Sequence, residues 1–263
     1  KNLETRLGMV LCQRGRGGFA LTEDGQRVYD ASNALFNHLE DFRSLVLGYE
    51  QLVGELQIAI IDNSIFHPDF QLGNVIKRFG ELDHQVEINV HVGPPNQLEH
   101  MVLGGQAHIG IGYFPRRLAQ LEYTPLYMSE MKLFCGRGHP LFDKDAADVT
   151  DDDIKQYHHA KRGYVSPDQM SDKERHFNYR ASAPNIEGLA HLLLSGEYLA
   201  FMPAHYARQF EEQGLITALM NDAYRYASCY EIIRRKSVAR TPAEIKFYEL
   251  LRAESKEKQM IAL

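Results

Sequence analysis

The sequence contains little cysteine and no long apolar run, and both absences narrow the class of protein. Its three cysteines, Cys12, Cys135 and Cys229, are odd in number and far apart. This is typical of proteins from a reducing cytoplasm and not of disulfide-stapled secreted folds. No stretch approaches the roughly 18 consecutive apolar residues of a membrane-spanning helix, and no signal peptide opens the chain. We therefore expect a cytoplasmic protein with no membrane partner.

Motifs for catalysis and for metal binding are missing as well. The sequence contains neither a Gly-x-Ser-x-Gly nucleophile elbow nor a phosphate-cradling Gly-x-x-x-x-Gly-Lys loop. Its 12 histidines show no ligand-like spacing, and the adjacent His158 and His159 would point to opposite sides of a strand. We predict no catalytic residue, no metal site and no cofactor, and hence that the chain is not an enzyme.

What the sequence does contain is a segregation of charge. The net charge is −6, yet residues 1–22 carry four basic residues against a single acidic one. This pattern is expected if only one end of the chain meets nucleic acid. Arg14 and Arg16 stand among three glycines, so the backbone at this tip can approach a polyanion closely.

Local signals around that tip predict a helix, a hairpin and a second helix. A helical apolar face ends at Gly8, two short extended runs flank the tip, and Thr22 precedes two acidic residues as a helix N-cap. A helix followed by an arginine-tipped hairpin is the back half of a winged helix-turn-helix, whose wing lies on DNA phosphates. The alternative is a basic turn that is merely solvated. We predict DNA contacts by four residues: Arg6, Arg14, Arg16 and Thr22.

This segment resembles the corresponding part of LysR-type transcriptional regulators. The shared pattern, Leu-Glu-x-x-Leu-Gly-x-x-Leu-x-x-Arg followed by Leu-Thr-x-x-Gly, is made by Leu3, Glu4, Leu7, Gly8, Leu11, Arg14, Leu21, Thr22 and Gly25. The resemblance implies that residues 1–22 are the C-terminal part of a winged helix-turn-helix, with most base-reading residues on a few dozen residues before Lys1. It implies double-stranded operator DNA and a small-molecule effector as partners, with RNA polymerase as a further candidate.

Residues 23–53 are predicted to form one long linker helix. Pairing between subunits explains its length better than docking within its own domain, which is the alternative. The resemblance implies a homodimer or homotetramer assembled through this helix. Its apolar residues recur at steps of three and four: Val28, Ala31, Leu35, Leu39, Phe42, Leu45 and Tyr49.

From residue 54 onward, strand-like and helical patterns alternate, which predicts an α/β fold with parallel strands and right-handed crossovers. We expect two lobes joined by strand segments near 136–140 and 222–228. Such lobes form a hinged ligand-binding architecture, and the resemblance implies a type 2 periplasmic-binding-protein-like effector domain. Subdomain I would comprise residues 54–138 and 226–263, and subdomain II residues 139–225.

Ligands in such sheets bind beyond the carboxyl ends of the strands, near helix N-termini, which favour anions. Ser64 would begin a helix over 64–82 and Asn96 would cap a helix over 96–103, although a purely capping role is the alternative for both. A small carboxylate is the default ligand, or an aromatic metabolite if the pocket is mainly apolar. The predicted ligand-binding residues are Asn63, Ser64, Pro95, Asn96, Tyr113, Tyr164, Ser166, Asn185, Met202 and Pro203.

These features predict a bacterial DNA-binding transcriptional regulator whose operator binding is controlled by an effector held between two lobes. The rival hypothesis is a free-standing solute-binding or sensing protein with the same two-lobed fold. Residues 1–50 speak against it, because a solute receptor needs neither a wing nor a long helix with an apolar stripe. An enzyme on this fold is a more distant alternative.

Overall fold

The chain begins with a helix and a hairpin. Helix α1 (Asn2–Leu7) ends before Gly8, whose φ is 66°, and strands β1 (Cys12–Gly15) and β2 (Gly18–Leu21) pair antiparallel. These are the elements that the sequence predicts for this segment. The computed structural model describes residues 2–15, 18–47, 52–145, 148–165, 170, 174–219, 224–236 and 238–261.

Thr22 fixes the junction between this hairpin and the long helix α2 (Glu23–Leu47). Its Oγ1 accepts a hydrogen bond from the Gly25 amide at 2.9 Å and donates one to the Val10 carbonyl at 2.5 Å. The predicted N-cap role of Thr22 is therefore confirmed. A Cβ on Gly25 would lie 1.9 Å from the Leu11 carbonyl oxygen, so the helix packs on the preceding segment backbone to backbone.

Helix α2 turns a mainly polar face, to which Phe36 also contributes, toward the rest of the chain and leaves apolar side chains exposed on its other side. Gln26, Asp30 and Asn33 line a groove of 700 Å³ against the body, and His38 Nε2 accepts a hydrogen bond from Arg235 Nη1 at 2.9 Å. Helix α2 thus lies against its own chain, but the described stripe residues Leu35, Leu39 and Phe42 do not pack there and stay exposed. Neither α2 nor any other described helix is both long and apolar enough to cross a membrane. The predicted Tyr49 lies outside the described residues, and the exposed apolar side chains include Leu35, Phe36, Leu39, Phe42 and Val46.

From Leu52 onward, strands and helices alternate around one continuous sheet. Its nine described strands follow the order β4-β3-β5-β11-β6-β9-β7-β8, with β10 paired to β6. Two parallel sets, around β3 and around β7, are joined by the antiparallel pair β6 and β11. In chain order the elements are β3 (Leu52–Ile61), α3 (Leu72–Gly80), β4 (His84–Gly93), α4 (Pro95–Leu103), β5 (Ile109–Tyr113), β6 (Leu121–Gly136), α5 (Asp151–Gln156), β7 (His158–Arg162), β8 (Asn178–Ala183), α6 (Ile186–Leu194), β9 (Leu199–Pro203), α7 (Ala204–Glu212), β10 (Ile216–Ala218), β11 (Arg225–Arg235) and α8 (Pro242–Ile261).

Strands β6 and β11 pass from one hydrophobic core to another and so create two lobes. Tyr127 belongs to the core of lobe I, built on β3, β4 and β5, whereas Met131 already belongs to a core of lobe II. The crossing in β6 therefore lies between these residues, earlier than the segment 136–140 predicted from the sequence. One strand, β6, therefore serves two cores, and its burial pattern is interrupted where it changes lobe.

Two predicted helix starts are wrong. Helix α3 has Gln71 at its N-cap and does not begin at Ser64, because Pro68 lacks an N–H and restricts the preceding residue to extended backbone. Helix α4 has Pro94 as its N-cap. Asn96 is the second helical residue because proline is favoured at the first position, which Pro95 occupies.

Candidate ligand-binding cleft

Polar residues from both lobes meet where the parallel strands end. Asp62 and Asn63 follow β3, Tyr113 ends β5, and Arg162 ends β7. The carboxyl ends of parallel strands are the usual position of ligand sites in open α/β sheets. The crossing strand β11 adds Tyr226 and Tyr230, which contact Arg162 and Asn63.

Arg162 is the buried cation of this cleft. Its side chain is 8% exposed, and its Nη2 donates a hydrogen bond to the Tyr226 hydroxyl at 2.6 Å. The guanidinium carbon lies 5.9 Å from the ring centroid of Tyr113 and 5.7 Å from that of Tyr164. Aromatic faces attract a desolvated cation at these distances, so tyrosines from both lobes surround one positive charge.

Tyr226, Ser228 and Tyr230 lie on one face of β11, because side chains alternate along a strand. The Tyr230 hydroxyl donates a hydrogen bond to Asn63 Oδ1 at 3.1 Å. Burial raises the pKa of Tyr226 and that of Tyr230, so both hydroxyls stay protonated at neutral pH. Ser228 is 3% exposed, and its Oγ has no hydrogen-bond partner in the described part of the chain.

Asn63 connects the loop after β3 to lobe II. Its backbone has a φ of 43°, a left-handed conformation that asparagine tolerates better than most residues. Its carbonyl oxygen accepts a hydrogen bond from His205 Nε2 at 2.7 Å, and His205 Nδ1 lies 3.3 Å from Ser129 Oγ. Burial lowers the pKa of His205, which favours the neutral ring, and that form satisfies both contacts by donating from Nε2 to the carbonyl and accepting at Nδ1.

Asp62 makes a second link between the lobes. Its Oδ2 accepts a hydrogen bond from the Ile186 amide at 2.5 Å, at the start of α6. Burial raises the pKa of Asp62, whereas hydrogen bonds from the Ile186 and Glu187 amides lower it. The carboxylate thus occupies the helix N-terminus where an anionic ligand was expected from the sequence.

The structure brings Asn63, Tyr113 and Tyr164 together with Arg162 around the cleft. Ser64 is half-buried, and its Oγ donates to the Ile61 carbonyl at 3.2 Å. Asn63 and Ser64 also line an adjoining groove of 640 Å³, whose lobe I wall is mainly apolar.

The other predicted ligand residues have structural partners or lie elsewhere. Asn185 caps α6, since its Oδ1 accepts from the Gly188 amide at 2.8 Å. Pro95 is buried in α4 while Asn96 is exposed, Met202 and Pro203 are buried at the end of β9, and Ser166 lies outside the described residues.

Sequence reasoning missed Arg162, Tyr226, Ser228 and Tyr230. The spacing of the last three at every second residue was an available signal, because in a strand it places three hydroxyl groups on one face. Arg162 is the last residue of β7, and ligand residues often stand at such strand ends in this architecture. Neither signal tells whether these side chains face lobe I or lobe II.

At the N-terminal end, the predicted DNA-binding residues lie around α1 and the hairpin. Arg6 is exposed in the last turn of α1. Arg14 is in β1, and Arg16 lies outside the described residues. The Thr22 hydroxyl is engaged at the start of α2. No group of three or more His, Cys, Asp or Glu side chains is placed to hold a metal ion anywhere in the described ranges.

Comparison with known proteins identifies the family to which this architecture belongs. Residues 50–256 match the LysR substrate binding domain family. The chain is 37% identical to the HTH-type transcriptional activator BauR of Pseudomonas aeruginosa over 236 residues, covering 89% of this chain and 77% of BauR. It is 26% identical to the HTH-type transcriptional regulator SsuR of Burkholderia cenocepacia, covering 60% of this chain and 50% of SsuR.

Solved structures agree on the fold. Full-length CbnR in complex with its target DNA superposes with a TM-score of 0.63 at 18% identity, covering 96% of this chain and 87% of that one. The effector-binding domain of QuiR in complex with shikimate gives a TM-score of 0.61 at 13% identity, covering 78% of this chain and 98% of that domain.

The two lobes, the crossing strands and the cleft between them define an effector-binding α/β domain of the periplasmic-binding-protein type. The chain belongs to the LysR-type transcriptional regulators. It is a transcriptional regulator with an effector-binding domain, as the resemblance of residues 3–25 implied, and members of this family are not enzymes.

Proposed function

We propose that this regulator binds a small molecule between its lobes and that the occupied cleft changes how its N-terminal end binds operator DNA. The observation that carries this proposal is the cluster at the lobe junction, where Arg162 is buried against tyrosines from both lobes. A ligand there contacts groups on both sides of the crossing strands. It can therefore shift the population of lobe arrangements, provided that it binds one arrangement more tightly.

The DNA-binding end is proposed to be the C-terminal part of a winged helix-turn-helix at residues 1–22. Supporting this are the antiparallel hairpin with Arg14 on β1, the exposed Arg6 on α1, and the surplus of basic residues in this segment. Arg14, Arg16 and Arg6 would contact phosphates, and Thr22 would hold the hairpin against α2. The fold similarity to CbnR, which was solved with its target DNA, is consistent with double-stranded operator DNA as the partner.

Helix α2, within the proposed linker at 23–53, is proposed to pair with the same helix of a second copy. Its outward apolar side chains are largely uncovered, with Leu35 at 59%, Phe42 at 62% and Val46 at 66% exposed. Burying such a stripe in a helix pair removes apolar area from water, at about 25 cal/mol per Å². We propose a homodimer or homotetramer in the cytoplasm, with RNA polymerase as a further partner.

The effector-binding domain is proposed to divide into two subdomains, with the first boundary moved from residue 138 into β6, between Tyr127 and Met131, where the two cores meet. The second boundary is kept near residue 226. A small carboxylate or an aromatic metabolite is proposed as the effector. Asn63, Tyr113 and Tyr164 are the predicted residues best placed to contact it. The shikimate in the QuiR complex is itself a small carboxylate, which is consistent with the first of these two classes.

The central experiment measures binding of full-length protein to duplexes from the promoter region beside its gene, with and without small carboxylates and aromatic acids. We expect nanomolar-range binding to one duplex and a shift in its affinity with at least one compound. Arg14→Ala should weaken all duplexes alike and make the salt dependence shallower by roughly one unit, because one phosphate contact is lost. Arg27→Ala, on the exposed first turns of α2, is the matched control. A loss confined to one sequence would contradict a wing role.

Oligomeric state tests the proposed role of α2. Leu39→Glu places a charge within the outward apolar stripe, and we expect the mass in solution to fall to that of a monomer. Gln26→Glu adds a charge to the opposite, inward-turned face and should leave the assembly intact. A wild-type protein that is monomeric and has no affinity for DNA would refute the proposed function.

A further inference from the structure

Helix α2 contacts lobe I through a histidine and an arginine. Arg235 Nη1 donates a hydrogen bond to His38 Nε2 at 2.9 Å. Arg235 is half-buried at the end of β11, and Tyr226 and Tyr230 of the same strand lie at the cleft. Helix α2 is thus attached to the end of a strand that crosses between the lobes.

Gly105, in the turn after α4, leaves the space for this contact. Its φ is 74°, a left-handed conformation that favours glycine. A Cβ there would lie 2.6 Å from His38 Nε2 and 3.2 Å from Arg235 Nη1. Any larger residue would displace one of the two partners, so the surface of lobe I fits the imidazole closely.

The hydrogen bond requires that His38 Nε2 carry no proton. A guanidinium has N–H donors and no acceptor, so Arg235 cannot accept a hydrogen bond from a protonated imidazole. Protonation of His38 would turn two donors, and two positive charges, toward each other. Histidine is the side chain that ordinarily changes its charge between about pH 5 and pH 8. The attachment of α2 is therefore sensitive to pH in that range.

Lys236 and Arg240 are the cations next to Arg235 in the chain. Lys236 Nζ donates to a backbone carbonyl at 3.0 Å, and Arg240 Nη2 donates to the Arg235 carbonyl at 3.2 Å. Neither cation can accept a hydrogen bond from a protonated His38. The carboxylates that follow His38 most closely in the sequence belong to side chains outside the described ones, Glu40 and Asp41.

The groove of 700 Å³ between α2 and lobe I provides little apolar contact that could hold the helix in place. Phe36, which lines this groove, is 63% exposed. A single polar contact can therefore decide whether α2 stays docked. Protonation of the histidines in the groove would bring positive charge toward its acids and favour docking, which is the opposite effect. The ionisable groups of the groove are Asp30, Glu55, His91 and His100.

We propose that the contact between His38 and Arg235 is a pH-sensitive latch that docks the linker helix on lobe I and opens when His38 is protonated. The docked state contains the neutral imidazole, so docking is favoured above about pH 6.5 and is lost as the pH falls below it. Opening frees α2 from the strand that contacts the cleft, so acid weakens the coupling between the cleft and the N-terminal end. This last consequence rests on the proposed function, whereas the latch itself does not.

Fluorescence of a single tryptophan in the full-length protein tests the latch, because the chain contains no other tryptophan. Phe36→Trp places an indole in the groove between α2 and lobe I, and quenching by acrylamide reports its exposure to solvent. We expect quenching to increase from about pH 7.5 to about pH 5.5. The ratio of docked to undocked helix should fall by up to roughly ten-fold, because one proton shifts a coupled equilibrium at most ten-fold per pH unit below a pKa near 6.5.

Variants in the Phe36→Trp background identify the groups responsible. His38→Gln keeps an acceptor at every pH, and Arg235→Gln supplies an amide that can either donate or accept, so each should abolish the pH response. His38→Lys should give high quenching even at about pH 7.5. His191→Gln, at an exposed position of α6 in lobe II, is the matched control and should keep the response.

Hydrogen exchange provides a second test that does not depend on the introduced tryptophan. In otherwise wild-type protein at a single pH, His38→Lys should speed exchange of the amides at 104–107 and along α2, whereas His38→Gln should not. The latch is refuted by an absent pH response, by a response that persists in His38→Gln, or by equal exchange in the two variants. Neither measurement uses effector or operator DNA, so such a result would leave the proposed function standing.

Discussion

Tyr226→Phe removes one oxygen atom, the acceptor that lies 2.6 Å from Arg162 Nη2. Because Arg162 is 8% exposed, water has little access to replace that acceptor. A hydrogen bond to a charged group contributes about 1.5–3 kcal/mol to stability, and the retained ring avoids the additional cost of a cavity. We therefore expect the free energy of unfolding to fall by about 1.5–3 kcal/mol.

Urea unfolding followed by circular dichroism measures this loss as a lower midpoint with an unchanged slope. The thermal midpoint should fall by about 2–4 °C for each kcal/mol in a chain of this size. Tyr29→Phe is the control, since Tyr29 is 55% exposed on α2 and surface changes usually stay within about 0.5 kcal/mol. If Tyr226→Phe also stayed within about 0.5 kcal/mol, the claim that Arg162 depends on this hydroxyl would be refuted.

Three further changes test the helix cap, the packing of one turn and a buried histidine. Thr22→Ala should destabilise the start of α2 by about 1 kcal/mol and speed amide exchange there, whereas Thr22→Ser should not, because serine keeps the capping oxygen. Gly136→Ala should destabilise the fold by more than about 3 kcal/mol in urea unfolding, since its Cβ would lie 2.0 Å from the Leu193 carbonyl oxygen. Gly73→Ala, in a helix with nothing within 4 Å of the new Cβ, should instead be neutral or stabilising. Burial lowers the pKa of His159 from 6.5 to about 4, so the folded state resists protonation. Stability should therefore be lost as pH falls from 6.5 toward 4, by up to roughly 3 kcal/mol, and His159→Phe should flatten that slope. An unchanged slope would exclude His159 as its source.

Local signals made the N-terminal elements and most strands predictable. Gly8 and Thr22 act on backbone groups within a few residues, so the helix end and the N-cap follow from the chain itself. Asn185, predicted as a ligand-binding residue, caps α6 through a hydrogen bond from the Gly188 amide three residues on, which is also a short-range interaction. The predicted start at Ser64 was wrong because the restriction imposed by Pro68 outweighs the apolar periodicity around it.

Two hydrogen bonds of the cleft join distant parts of the chain. Arg162 and Tyr226 are separated by 64 residues, and Asp62 and Ile186 by 124. Periodicity within one strand tells which residues share a face, but not which other strand will bring a partner to it. For that reason the sequence indicated an anion at the start of α6, where the fold places the carboxylate of Asp62.

The sequence by itself determined the order of elements, the wing-like hairpin and the family, because caps, glycines and apolar spacing are short-range properties of the chain. Only the tertiary structure decided that the apolar stripe of α2 faces outward and that the guanidinium of Arg162 is buried between the lobes against a neutral hydroxyl. The exposure of the stripe and the burial of Arg162 both depend on which surfaces the packed cores leave uncovered. Those surfaces follow from the packing of β6 and β11 against two separate cores, which no single segment of the sequence specifies.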